Sequence, residues 1–239
     1  MDEKRREKIR ELLNNPIFNI VDVEEASLNR YDQSLTHSSY AKEMKDRGIN
    51  CNDNERLEFL GNFVLNFVVS EFVFQKFKED SEGDMTERMK IVSNKKLAEI
   101  IRKKKIGIEK PIQCGEGVSN NSEDLEDSIV AGAFEALIGA VYLDQGMPKV
   151  KEIIFGLLSD EIEHFNPDRN YIGRLQEIVQ INKLGDLKYV IEKLVGPDHR
   201  PTFRAIVEIS GKPWGEGTGN NIKDAKMEAA GVALNKINK

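Results

Sequence analysis

The sequence predicts two domains, an all-α domain over residues 1–164 and a smaller α+β domain of order α-β-β-β-α over residues 170–239, with a linker at 165–169. Three observations lead there. Residues 54–65 and 128–144 carry helical patterns, one amphipathic and one apolar almost all round. Residues 187–217 hold three short strand-like runs bracketed by helical patterns, and the central run alternates with a period of two. Charge also divides: residues 168–239 hold 12 Lys and Arg against 9 Asp and Glu, a net of +3. Residues 1–167 hold 23 against 32, a net of −9. A length of 239 residues fits one or two domains, and this map favours two.

Taken in order, the chain begins charged and amphipathic (Met1-Asp-Glu-Lys-Arg-Arg-Glu), without the apolar centre of a signal peptide. In Asn54-Glu-Arg-Leu-Glu-Phe-Leu-Gly-Asn-Phe-Val-Leu65 the spacing of Glu55, Glu58 and Asn62 puts three polar side chains on one helix face. Leu57, Phe59, Leu60, Val64 and Leu65 give the same helix apolar surface to bury, and on this pattern Phe59 reads as a core aromatic. The longest apolar stretch, Phe63–Phe74, is interrupted by Asn66, Ser70 and Glu71 and reads as too short to span a bilayer. Arg102-Lys-Lys-Lys105 reads as a solvated helix end before Gly107, where cations suit the dipole, with an RNA-facing patch as the alternative. Ser128–Asp144 reads as a buried helix carrying one isolated acid, Glu135. A buried lone carboxylate requires a cation, a bound water or a basic partner, for which Arg88 is a candidate. Residues 159–170, with Pro167 and several charges, read as the connecting region. Cys51 and Cys114 lack a metal-ligand spacing, so reduced thiols in a cytoplasmic protein are expected.

The C-terminal elements are a helix over Asn170–Lys183, strands over Leu187–Leu194, Phe203–Ile209 and Lys212–Gly217, and a last helix over Ile222–Ile237. The last helix carries Ala225, Ala229, Ala230, Ala233 and Leu234, a small-residue face suited to close packing on a sheet. Trp214 reads as an anchor of the strand region.

Leu35-Thr-His-Ser-Ser-Tyr40, Asn54–Leu65, Gly83-Asp-Met-Thr-Glu-Arg-Met-Lys-Ile-Val-Ser-Asn94 and Ser128–Asp144 together resemble the ribonuclease III family over the first domain. Leu175-Gln-Glu-Ile-Val-Gln180, Gly196-Pro-Asp-His199 and Lys223-Asp-Ala-Lys226 resemble the double-stranded-RNA-binding domain that follows it in that family. The resemblance implies a Mg²⁺-dependent endonuclease of double-stranded RNA that works as a homodimer, with Phe59 across the dimer two-fold. It places Glu58, Asn62, Gly132 and Glu135 at the four metal-holding positions, two of which carry aspartate in the family. Glu55 and Glu82 align with acids that line the cleavage groove, and Glu82 is a further candidate ligand. In the second domain it implies that Gln176 and Glu177 meet one minor groove, His199 the next, and Lys223 and Lys226 the phosphates between them. That division suits A-form RNA, whose deep major groove side chains cannot read. Ile222 stands where the family commonly has another lysine, which points to weaker and less salt-dependent binding.

The chemistry shows what the two departures cost. Mg²⁺ takes oxygen ligands, usually a few carboxylates plus waters, and phosphodiester hydrolysis needs it to generate a hydroxide and neutralise the leaving oxygen. Asn62 offers a carbonyl without charge, and Gly132 offers nothing. Two readings follow: a double-stranded-RNA-binding member whose Mg²⁺ site is weak or absent and whose cleavage is impaired, or an active Mg²⁺-dependent endonuclease in ribosomal or regulatory RNA processing. A heterodimer with an active relative would also suit the first reading. A pI of 5.4 would ordinarily argue against a nucleic-acid binder. The charge split removes that objection.

Overall fold

The computed structural model describes residues 1–118, 125–164, 171–194 and 202–237. The chain divides into two compact units, Met1–Asn166 and Pro167–Lys239. The expected linker at 165–169 lies outside the described residues.

The first unit is helical: α1 Glu3–Leu13, α2 Glu25–Ser34, α3 Ser38–Asp46, α4 Glu55–Lys76, α5 Glu82–Met89, a short 3-10 turn Lys90–Val92, α6 Asn94–Lys103 and α7 Asp127–His164. Local chemistry sets several of the ends. Asp2 caps α1 by accepting the Arg5 N–H at 2.8 Å, and Ser81 with Asp84 forms a reciprocal capping box on α5. Gly146, at φ +77°, breaks α7 into two helical runs just before Pro148. The first of those runs is buried almost all round, as its composition predicts. It is tied to α2 through Asp144, which accepts hydrogen bonds from Ser27 and from the Tyr31 hydroxyl, the latter at 2.7 Å.

What positions the polar face of α4 is a near-contact of two backbones. A Cβ on Gly61 would lie 1.7 Å from the Glu135 carbonyl oxygen, and one on Gly139 would lie 2.4 Å from the Leu57 carbonyl oxygen. Only hydrogen at both positions lets α4 and the first run of α7 cross so closely. The crossing sets Glu58 and Asn62, which flank Gly61, opposite Gly132 and Glu135. Leu57, Val64, Leu65, Ala133, Phe134 and Leu137 close the core around it. Each buried Leu or Phe contributes about 1.5–3 kcal/mol, which holds the polar face in place.

Four expectations are corrected here. Phe59 is 69% exposed, because α4 presents two apolar faces and only one meets the core. Residues 159–164 continue α7 and are not part of a linker. Arg88 does not reach Glu135: its guanidinium donates to Asp80 at 2.6 Å and to the Ile162 carbonyl at 3.2 Å, and it sits over the Phe77 ring. Finally, α4 runs for 22 residues, and both it and α7 are long and apolar enough to cross a membrane by length and composition, although the apolar window of α7 is 72% buried within the fold. The basic run ends α6 as expected, with Arg102, Lys103 and Lys104 facing Asp127, Glu161 and Asp160.

The second unit is α8 Tyr171–Ile181, then β1 Leu187–Leu194, β2 Thr202–Ile209 and β3 Lys212–Gly219 in one antiparallel sheet of order β1-β2-β3, then α9 Ile222–Ile237. Ser210 and Gly211, both at positive φ, make the tight turn between β2 and β3. The alternation read in β2 is realised as buried Ala205, Val207 and Ile209. The small-residue face of α9 meets its counterpart on β3, where Gly215 and Gly217 leave room for Ala225 and Ala229 to approach at backbone distance. Trp214 packs against this core.

Candidate functional site

The α4–α7 crossing opens into a cleft of about 540 Å³ whose lining includes Glu55, Glu58, Asn62, Gly132 and Glu135. Five of the six sequence-derived positions of the first domain thus come together. Glu82 does not: it is exposed at the start of α5, where it accepts a hydrogen bond from the Thr86 hydroxyl at 3.0 Å. His37, Ser38, Asn54, Asn94 and Ser128 also line the cleft and were missed as site residues. All five lie inside or at the edge of the quoted motifs, and that proximity was the available signal. His37 has a structural role as well, since its Nδ1 caps α3 at the Ser39 N–H.

Glu135 is 4% exposed. Its partner is Asn62, whose Nδ2–H donates to Oε1 at 2.9 Å, and Asn66 in turn donates to the Asn62 Oδ1 at 3.3 Å. The two orientations agree: the amide turns its donor to the acid and its acceptor to the neighbouring amide. Across the cleft, the Glu58 carboxylate rests against the bare backbone of Gly132, where a Cβ would stand 2.9–3.1 Å from it. Asn62 and Gly132 are therefore fitted to Glu135 and Glu58 respectively. Among the described residues, no three His, Cys, Asp or Glu side chains converge to hold a metal ion.

Burial pushes the Glu58 carboxyl above the ordinary range, and the nearby Glu55 charge adds to this. Burial also raises Glu135, against the hydrogen bond from Asn62 and with a contribution from the Glu58 charge. A folded-state carboxyl held above its unfolded value costs stability as pH rises through the folded value, so ionisation at this site opposes folding. Glu135→Gln keeps an oxygen for the Asn62 donor and removes that charge. It is expected to melt at or above the native temperature at pH 7, with any gain closing below about pH 4, where Glu is protonated in both states. A lower melting temperature at pH 7 in a calorimetric comparison would contradict this account.

In the second unit, Gln176 and Glu177 are exposed on α8, and Lys223 lies exposed in the first turn of α9. Lys226 is half-buried, its ammonium 5.4 Å from the centre of the Tyr189 ring. The first turn of α9 is less open to an anion than its lysines suggest. Asn221 accepts the Asp224 N–H at 2.9 Å, and its own amide donates to the Asp224 carboxylate at 2.7 Å. His199 lies outside the described residues.

A ribonuclease-III-like family model matches residues 29–161, and a double-stranded RNA binding motif matches residues 171–237. The chain is 38% identical over 209 residues to a ribonuclease 3 of Caldanaerobacter subterraneus subsp. tengcongensis, covering 86% of this chain and 90% of that one. It is 36% identical over 240 residues to a ribonuclease 3 of Geobacillus, covering 99% and 94%. Among solved structures it is similar to a ribonuclease III nuclease domain of Campylobacter jejuni, at 31% identity and a TM-score of 0.53 over 64% of this chain and 96% of that one. That structure is described as flexible in a region involved in dimer formation.

Proposed function

The chain belongs to the ribonuclease III family, and from that premise we propose that it binds double-stranded RNA as a homodimer while cutting it poorly or not at all. The observation that carries this reading is the Asn62–Glu135 hydrogen bond. Enzymes of this family use a divalent metal. In this cleft the acid best placed to ligate one is instead satisfied by an amide that adds no negative charge. Gly132 adds no ligand. Two fewer anionic oxygens weaken the Coulomb attraction for a divalent ion in a half-buried site by several kcal/mol in order of magnitude. The residues present do not fit a resident Mg²⁺.

The test is incubation of the purified chain with labelled duplex RNA in Mg²⁺ and, separately, Mn²⁺. Intact RNA in Mg²⁺ is the expected result. Cutting that disappears in Glu135→Gln would establish the chain as an active endonuclease and overturn the proposal.

RNA binding belongs to the second unit, whose net charge is positive while the rest of the chain is acidic. Lys223→Ala and Lys226→Ala are each expected to weaken binding to a duplex of about 20 base pairs, and each to lower the salt slope by about one. Fluorescence anisotropy across a salt series reads both quantities. Unchanged affinity and slope in both variants would refute this surface.

A further inference from the structure

We propose that Tyr189 is a positioning residue for RNA binding, holding the Lys226 ammonium over its ring so that the charge is presented from a fixed place. The inference rests on the reading that Lys226 meets phosphate. It goes further by naming what sets the direction of that side chain.

Three observations on different elements support it. Lys226 sits on α9, which packs mainly on β3 and β2, yet its ammonium lies 5.4 Å from the ring of Tyr189 on β1, the edge strand on the far side of β2 from β3. That distance is within cation–π range, where the ring's negative face attracts the charge. Lys226 itself is half-buried, whereas Lys223, one helical turn earlier, is exposed. A lysine stem lying along apolar surface with its head confined loses less side-chain freedom when it meets a phosphate. The third observation concerns the Tyr189 hydroxyl, which is buried without a hydrogen-bond partner among the described residues; burial pushes its pKa up to about 12. An unsatisfied buried hydroxyl contributes nothing to packing that phenylalanine would not. The ring, with its π face, is then the part of Tyr189 that acts on Lys226.

The hydroxyl and the ring can therefore be separated by mutation. Tyr189→Phe keeps the π face and removes the orphaned group; Tyr189→Leu keeps apolar volume and removes the π face. Binding of each full-length variant to a duplex of about 20 base pairs is compared with the native chain and with Lys226→Ala over a salt series. Tyr189→Phe is expected to retain native affinity and slope. Tyr189→Leu is expected to weaken binding about two- to fivefold, the factor that matches a partly exposed cation–π contact, and to add little in the Lys226→Ala background. NMR of the RNA-free native protein gives a reading that needs no variant: the Lys226 ε-protons should be shifted upfield by the ring current. Random-coil shifts for those protons would overturn the proposal even if Tyr189→Leu failed to fold. So would native binding by Tyr189→Leu alongside weakened binding by Lys226→Ala. Native binding by Lys226→Ala would instead refute the RNA-facing role of that lysine, and with it the function assigned to Tyr189, while leaving the ring contact itself to be read from the shifts.

Discussion

Changing Asn62 and Gly132 together to aspartate is expected to turn a chain that leaves duplex RNA intact in Mg²⁺ into one that cuts it, by a factor of about a hundred or more. The scale follows from the several kcal/mol assigned to two charges, since each 1.4 kcal/mol or so is tenfold in rate. The geometry makes the pair of changes a unit. Asn62→Asp alone replaces the donor that now satisfies buried Glu135 with a second carboxylate at the same spot. Gly132→Asp alone brings a side chain within 2.9–3.1 Å of the present Glu58 carboxylate, which must swing aside. Each single change therefore adds like-charge crowding, and in the double variant an ion bound among all four acids relieves it. The double variant is accordingly expected to be less stable than the native chain in chelator and to gain stability with Mg²⁺. At a hundredfold excess over Kd the gain is about 2.7 kcal/mol, or about 5–10 °C for a unit of this size. The native chain should show no such rise. A double variant that neither cuts duplex RNA nor gains stability with Mg²⁺ would sink the proposal that Asn62 and Gly132 are what keeps this cleft from holding the metal.

The division between what the residues foretold and what they withheld follows from the range of the interactions. The helix bearing Glu55, Glu58 and Asn62 was legible because helical spacing is a local property. So were the three strands and the alanine face of α9, whose β3 counterpart extends two residues beyond the expected Gly217. The pairing of Asn62 with Glu135 was not legible, because it spans 73 residues and depends on how closely two helices cross. Gly61 and Gly139 hold that information, but a glycine inside a helix looks locally like a weakness and not a contact. Arg88 illustrates the same limit: a nearby basic residue was a reasonable partner for Glu135, whereas the fold commits it to Asp80 and Phe77. Phe59 failed for a different reason. Periodicity shows that a face is apolar without showing what covers it, and α4 is apolar on two sides.

That second apolar side carries the other large expectation. Phe59, Phe63, Phe67 and Phe74 are each more than half exposed, and at 3.6 residues per turn they share an arc of about 80° on α4. Phe59 and Phe63 already stack edge to face at 5.1 Å. Phe59 also forms the rim between the carboxylate cleft and a neighbouring hollow of about 660 Å³ that includes Leu57, Leu60 and Leu143. A second copy related by a two-fold would bring the same stripe and the same hollow, so each residue is buried twice. The native chain is therefore expected to run at twice its 27.1 kDa in light scattering, and Phe59→Glu with Phe67→Glu to run as the monomer. At about 1.5–3 kcal/mol for each buried phenylalanine, four lost side chains remove about 6–12 kcal/mol. That raises the dimer Kd by about four decades or more, before any cost of placing charge in the interface. The double variant should keep its helical content, since neither ring enters the core. A native chain that is monomeric at tens of micromolar, or a double variant that stays dimeric, would show that this face is not where two copies meet.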